Sequence, residues 1–286
     1  MTALVPRKRF GASGCDVAVV GQGTWDVPER GAGRKEAIRA LRHGIELGMT
    51  HVDTAEMYGN GAVEELVGEA IAGIDRDRLF VTTKVLPSNA TYDGTIRACE
   101  RSLRRLGVEY VDLYLLHWPS SHPIEQTMSA LQALVSAGKT RFAGVSNFDV
   151  EALAQAQRCL GRVPMVCDQV LYHLNERTAE ARLIPYCAQQ DIAVVGYTPF
   201  GRRRFPREQA SPGGIIGRTA LKYGKTPRQV ILNFLTRAPN VFTIPKASKP
   251  EHVEENAGAC GWALEAEDAA AIDGAFPVQD GPLATL

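Results

Sequence analysis

The feature that most constrains this chain is a regular alternation of two patterns. Eight short runs dense in Val, Ile, Leu, Thr and Tyr recur along it, at 17–20, 49–53, 79–84, 111–117, 141–145, 166–170, 193–197 and 241–244. Most lack strict polar–apolar alternation, as expected of strands covered on both faces of a parallel sheet. Between them lie stretches with helical spacing. Residues 34–47 place Ile38, Leu41, Ile45 and Leu47 on one stripe, and 62–71 does the same with Val63, Leu66, Val67, Ala70 and Ile71. Further helices are predicted over 91–106, 124–137, 150–160, 179–190, 227–237 and 250–260. Asp149 stands where an N-cap belongs, and Pro227 and Pro250 stand where a first helical residue belongs.

Eight βα units in succession imply a parallel sheet with right-handed crossovers, closed or open. The length of 286 residues suits a closed α/β ring, the (β/α)8 TIM barrel, which typically takes about 250. No linker suggests a second unit, so residues 1–286 are expected to form one barrel domain. Residues 8–20 differ from the repeat: Gly11-Ala12-Ser13-Gly14 separates two short runs, and a small N-terminal β-hairpin closing the barrel bottom is expected there. An extra C-terminal helix is expected over 264–272, followed by a short tail.

Composition removes several classes of function. Basic and acidic residues number 32 each, and the longest charge run is Arg202-Arg203-Arg204. That leaves no electrostatic footprint for a nucleic acid and no polybasic anchor for a membrane surface. The six cysteines are scattered without a CxxC pair, which argues against a zinc ribbon or a redox dithiol, and no metal is expected. The first ten residues carry charge and no apolar run, and no stretch approaches the roughly 18 apolar residues that span a bilayer. The expectation is a cytoplasmic protein with reduced thiols and no membrane partner.

Polar residues recur with the period of the repeat. Asp53, Lys84 and His117 each end a predicted strand, about one βα unit apart. Ser146 and Asn147 end the next, then Gln169, then Tyr197, and Lys246 follows the last. In a barrel these positions ring one face, the face on which active sites are built. A buried Lys needs a counter-charge, and Asp53 supplies one for Lys84. Tyr58 lies five residues beyond Asp53. A phenol titrates near about 10, and a neighbouring ammonium that stabilises the phenolate makes it a usable acid. Asp53, Tyr58, Lys84 and His117 are therefore the candidate catalytic residues.

These residues also carry a resemblance. Gly21-Gln22-Gly23-Thr24-Trp25, Asp53-Thr54-Ala55 with Tyr58-Gly59, Thr83-Lys84 and Leu116-His117-Trp118-Pro119 resemble, in order, motifs of the aldo-keto reductase family. So do Gly138-Lys139-Thr140-Arg141, Gly144-Val145-Ser146-Asn147-Phe148, Gln169 with Tyr172-His173, Tyr197-Thr198-Pro199 and Ile244-Pro245-Lys246. The resemblance implies hydride transfer from a nicotinamide to a small-molecule carbonyl, with Tyr58 as proton donor. Lys84, paired with Asp53, would depress the Tyr58 pKa, and His117 would orient the carbonyl oxygen. It assigns Ser146, Asn147 and Gln169 to the nicotinamide carboxamide, with Tyr197 stacking on the ring. Thr24, Asp53 and Thr198 go to the ribose and pyrophosphate, and Glu255 and Asn256 to the adenine. Trp25 and Trp118 are expected to line the substrate pocket. Gly21-Gln22-Gly23 lacks the third glycine and the following helix of a dinucleotide fingerprint, so it is not one.

Two departures stand out. NADPH-preferring members follow Ile-Pro-Lys with a Ser and later an Arg; here Lys246 is present but Ala247 and His252 occupy those two places, with Ser248 and Lys249 as candidate replacements for the missing Ser and Arg contacts. An imidazole is a weaker phosphate clamp than a forked guanidinium, so NADPH is expected with NADH also usable. Asp168 stands where an Asn often precedes the matching Gln. The loop after Trp118 is brief and the C-terminal tail short, which implies an open pocket for small, aromatic or sugar-type carbonyls. The Arg202–Arg204 run invites either the cofactor pyrophosphate or an anionic substrate. The family also implies a monomer. Two rival readings are a nicotinamide-sensing binding protein with slow catalysis and a lyase using a Lys84 Schiff base.

Overall fold

In a computed structural model, described over residues 5–202, 205–211 and 213–285, the chain opens with two strands, β1 (Arg7–Arg9) and β2 (Asp16–Ala18), paired antiparallel. The repeat then runs β3 (Gln22–Gly23), α1 (Gly31–Glu46), β4 (His51–Asp53), α2 (Ala62–Ile71), β5 (Phe80–Val85), α3 (Tyr92–Leu106), β6 (Val111–Leu116) and α4 (Ile124–Ser136). It continues with β7 (Thr140–Ser146), α5 (Val150–Leu160), β8 (Met165–Leu171), α6 (Leu183–Gln189) and β9 (Ala193–Tyr197). After β9 come α7 (Arg207–Ala210), α8 (Ile215–Tyr223), α9 (Pro227–Leu235), β10 (Val241–Thr243), α10 (Pro250–Ala257) and α11 (Ala266–Ala275).

Strands β3 to β10 pair in sequence order, all parallel. Single parallel bridges, Val20 to Thr243 and Gly23 to Lys246, join the two ends. Gly21 donates to the Thr243 carbonyl (2.8 Å) and Gly23 to that of Pro245 (3.1 Å). The sheet is therefore a closed (β/α)8 barrel. Gly23 is required at this seam, because a Cβ there would lie 2.5 Å from the Ile244 carbonyl oxygen.

The first barrel strand differs from the expectation. Residues 17–20 have the composition of a buried strand, but Asp16–Ala18 pairs with the hairpin; the barrel strand is the two-residue β3. Val17 is apolar because it faces the barrel interior from below. With Phe10 it packs on Phe80, Leu113, Leu115, Val195 and Phe242 inside the barrel, the Phe10 ring 4.9 Å from both Phe80 and Phe242. Burying each such side chain contributes roughly 1.5–3 kcal/mol. The hairpin thus closes the bottom, as expected. Gly11, at φ +50°, turns the chain where a Cβ would lie 2.6 Å from the Asp191 carbonyl.

Helix starts follow the sequence signals. The Asp149 carboxylate accepts from the Ala152 amide (2.8 Å), and Pro227 opens α9 behind a Thr226–Gln229 capping box. Helices α7 and α8 were not anticipated within the stretch that follows β9. The extra C-terminal helix is α11. It is tied to the barrel by Arg177, which is buried and bonds Glu180, Asp273 and the Phe276 carbonyl. All six cysteines are free thiols. Among the described residues no helix is long and apolar enough to cross a membrane.

Candidate active site

Parallel register brings the strand ends to one rim. Asp53 ends β4, Lys84 lies one residue before the end of β5, and His117 directly follows β6, its amide bonded to the Val85 carbonyl (3.0 Å). Asn147 follows β7, Gln169 lies in β8, and Tyr197 ends β9. All of these but the fully buried Lys84 line a cleft of about 540 Å³ that is also bordered by Thr24, Trp25, Tyr58, Trp118, Thr198 and Lys246. The backbone here is strained: Asn147 (φ +64°), Thr198 (φ +56°) and Arg202 (φ +48°) are left-handed. For a β-branched residue such as Thr198 that is a true outlier, and such strain concentrates at functional sites.

The floor of the cleft is a saturated charge cluster. Lys84 is completely buried. Its ammonium donates to Asp53 Oδ1 (2.6 Å), the Thr54 carbonyl (2.8 Å) and the Tyr58 hydroxyl (3.3 Å). The remaining carboxylate oxygen, Asp53 Oδ2, accepts from Gln169 Nε2 (2.7 Å). Burial alone would discharge Lys84, but Asp53 and Tyr58 together outweigh it and raise its pKa. Three donors and three acceptors leave the ammonium fully satisfied.

Two consequences follow for Tyr58. Its oxygen accepts from Lys84, so its own proton is free to point into the cleft. Its pKa lies above the ordinary phenol value, because burial outweighs the opposing pull of Lys84. That corrects the expected net depression. The ammonium acts in the expected direction, but a phenol 7 % exposed pays more in desolvation than one cation returns.

His117 is neutral, its pKa pushed down to about 2 by burial and then by the Lys84 charge. Its Nδ1 is buried without a partner. An unpaired donor is rarer in protein interiors than an unpaired acceptor, which assigns the imidazole proton to Nε2. The ring lies edge-on to Tyr58 (centroids 5.8 Å) and stacks on Trp118 (3.8 Å). Trp25 also meets Tyr58 edge-on, at 4.9 Å. The arrangement can present two neutral donors, Tyr58 O–H and His117 Nε2–H, to an oxygen that gains negative charge.

The residues that the resemblance assigns to a nicotinamide nucleotide divide into two groups. Thr24, Asp53, Asn147, Gln169, Tyr197, Thr198 and Lys246 border the cleft. Ser146 lies buried beneath it, donating to the Gln169 carbonyl (2.7 Å) and accepting from Asn147 Nδ2 (3.1 Å). Asn147 Oδ1 accepts from the Tyr197 hydroxyl (2.8 Å), fixing that ring at the wall. Ser248, His252, Glu255 and Asn256 lie outside the cleft, just before or on α10. The Ser248 hydroxyl is buried without a partner, and Glu255 pairs loosely with Arg228 (3.7 Å). An orphaned hydroxyl beside Lys246, and a cleft walled by amides and one anchored aromatic ring, fit a nucleotide lying from Tyr197 towards α10. Among the described residues no group of His, Cys, Asp or Glu is placed to hold a metal ion.

Sequence reasoning passed over Met57, Phe200 and Ile244, which supply apolar wall, and Glu56. The Glu56 carboxylate is nearly buried. Its Oε1 accepts from the Leu86 amide (2.7 Å) and Asn89 Nδ2 (2.9 Å), and its Oε2 lies 3.5 Å from Arg101. It ties the loop carrying Tyr58 to the segment just beyond Lys84. These partners lie 30 or more residues away in sequence, so no local signal marked it. Because Tyr58 and Lys84 meet at only 3.3 Å, Glu56→Ala is expected to lower kcat about tenfold through misplacement of the phenol. Glu56→Gln, which keeps the Oε1 acceptor, should recover most of the loss. Equal kcat in wild type and Glu56→Ala, measured beside the melting temperature, would limit Glu56 to stability.

Comparison with known proteins places the chain. The model of the aldo/keto reductase family matches residues 19–276. The chain is 40% identical over 265 residues to methylglyoxal reductase YeaE of Escherichia coli, covering 93% of each chain. It is 36% identical over 240 residues to glyoxal reductase of Bacillus subtilis, covering 83% of each. An aldo/keto reductase from Klebsiella pneumoniae, solved in complex with NADP and acetate, superposes with a TM-score of 0.90 at 39% identity, covering 99% of this chain and 100% of that one. With the barrel, the strand-end cluster and these matches together, the chain belongs to the aldo-keto reductase family.

Proposed function

We propose that the protein reduces small aldehydes or ketones to alcohols, with NADPH preferred over NADH. The observation that carries this reading is the Asp53–Lys84–Tyr58 chain ending in a free phenolic proton beside a neutral His117. A bound nicotinamide would supply the hydride. Asn147, Gln169 and Ser146 would hold its carboxamide, and the Tyr197 ring would fix the face presented to substrate. His117 then orients the carbonyl oxygen through Nε2–H. Tyr58 passes its proton to that oxygen as charge develops, and Lys84, held by Asp53, stabilises the phenolate left behind.

Methylglyoxal and glyoxal are named for two relatives, and the small cleft with Trp25, Met57 and Trp118 at its walls suits carbonyls of that size or simple aromatic ones, sugar-type carbonyls included. Lys246 and the Ser248 hydroxyl are the contacts offered to a 2′-phosphate, His252 being the weaker third. We further take the chain to be a single-domain monomer acting in the cytoplasm. The test is oxidation of NADPH and NADH with methylglyoxal and with 4-nitrobenzaldehyde, together with the Kd of each nucleotide. Turnover with a lower Kd for NADPH is expected. Tight NADPH binding without turnover of any carbonyl would replace the reductase by a nucleotide sensor.

A further inference from the structure

Among the described residues, the cleft holds one cation that the reduction chemistry leaves unused. Lys84 is spent on Asp53, and Lys246 lies at the nucleotide end. Arg202 borders the same cleft, with its guanidinium carbon 5.5 Å from the Trp25 ring centroid. Among the described residues no carboxylate pairs with it; Asp26, an exposed carboxylate lining the same cleft, forms no ion pair with it. Its charge nevertheless reaches the reacting centre, where it favours the Tyr58 phenolate. The backbone of Arg202 is left-handed, and it follows a tight turn in which the Gly201 amide bonds the Thr198 carbonyl (2.9 Å). A residue free to choose would avoid that conformation. Arg203 and Arg204 of the same run lie outside the described residues.

Position decides what such a cation meets. Trp25 contacts both Arg202, at 5.5 Å from its ring centroid, and the Tyr58 ring, at 4.9 Å. An anion on Arg202 and a carbonyl at Tyr58 would thus flank the same indole within one cleft. Trp25, Met57 and Phe200, which line the same cleft, are largely apolar and favour an apolar spacer over a polar one. The amides suited to the nicotinamide, Asn147 just after β7 and Gln169 within β8, lie across the barrel rim from Trp25 and Tyr58, which follow β3 and β4. A guanidinium resting on an indole keeps its N–H edge free to take a carboxylate through two parallel hydrogen bonds.

We propose that Arg202 recognises carbonyl substrates bearing a carboxylate on a short apolar spacer, such as aryl or aliphatic oxo acids. This rests on the reductase reading of the same cleft. The probe pair is 4-carboxybenzaldehyde and methyl 4-formylbenzoate, alike in shape and reactive group but differing in charge. Wild type is expected to favour the acid in kcat/KM by about tenfold at low salt, with the preference shrinking as ionic strength rises. Arg202→Met, which keeps the stem over Trp25, should abolish the preference. Arg202→Lys should retain part of it, because the charge survives without the fork.

The Kd of NADPH is measured for each variant. If Arg202→Met weakens NADPH and lowers turnover of acid and ester alike, the anion held is the nucleotide's diphosphate and the proposal is overturned. An acid-to-ester ratio that does not respond to Arg202→Met overturns it as well. If wild type reduces neither aldehyde, the reductase reading has failed, and Arg202 is read separately by terephthalate quenching of tryptophan fluorescence. Weaker terephthalate binding in Arg202→Met supports the carboxylate site, and equal binding rejects it.

Discussion

Tyr58→Phe is expected to lower kcat for carbonyl reduction by roughly 10²–10⁴-fold, the range for a lost general acid, while the Kd of NADPH stays within about twofold of wild type. The substitution is conservative in space. The phenyl ring keeps its edge contacts with Trp25 and His117, and only the hydroxyl, with its 3.3 Å bond from Lys84, is removed. Lys84 retains Asp53 and the Thr54 carbonyl, so the buried ammonium is not left bare and the fold should survive. The expected result is therefore a chemical defect without a binding defect.

The pH profile gives a second readout of the same residue. An acid works only while protonated, and burial holds the Tyr58 pKa above the ordinary phenol value. Wild-type kcat/KM should therefore stay flat through neutral pH and fall only as pH rises into the alkaline range beyond about 10. A descending limb near neutrality would point to another donor. His117 is a poor one: at a pKa of about 2 it is already neutral and can orient a carbonyl oxygen but not protonate it from a cationic form. Full activity in Tyr58→Phe would remove Tyr58 from the mechanism.

How much of this could be read from the sequence depended on whether a residue's partners repeat with the chain. Asp53, Lys84 and His117 were legible because parallel strands bring every βα period to the same rim, so sequence spacing converts directly into proximity. Asn147, Gln169 and Tyr197 followed for the same reason. The hairpin misled one assignment: Val17 has the composition of a barrel strand because it faces the barrel interior, but from beneath. The true first strand, Gln22–Gly23, is too short to carry any periodicity. Glu56 was illegible because its worth lies in two contacts beyond the next strand. Net pKa directions were illegible too, since the sequence names the charge beside Tyr58 but not the depth at which both are buried.

The departure at Asp168 has a consequence for stability. Asp168 is fully buried on β8, between Val145 of β7 and Val194 of β9. Neither of its carboxyl oxygens has a hydrogen-bonding partner of good geometry. Burial therefore raises its pKa well above the usual carboxylate value; the nearby Phe148 amide favours the charge and Asp149 opposes it. A native state that holds a proton more tightly than the unfolded chain loses stability as pH rises from the unfolded pKa, about 3.9, towards the native one. Asp168→Asn removes that titration at nearly constant shape and supplies the neutral group that the site already demands. At pH 7 the variant should be more stable by about 1–3 kcal/mol, the scale of an unsatisfied buried polar group. The gain should nearly vanish below about pH 4, where both states of the wild type are protonated. Denaturant unfolding of both proteins at acid and neutral pH provides the comparison. A gain independent of pH would mean that Asp168 binds its proton equally in the native and unfolded states, and a loss at pH 7 would mean that its carboxylate is ionised and satisfied in the native state and that Asn is the poorer residue between β7 and β9.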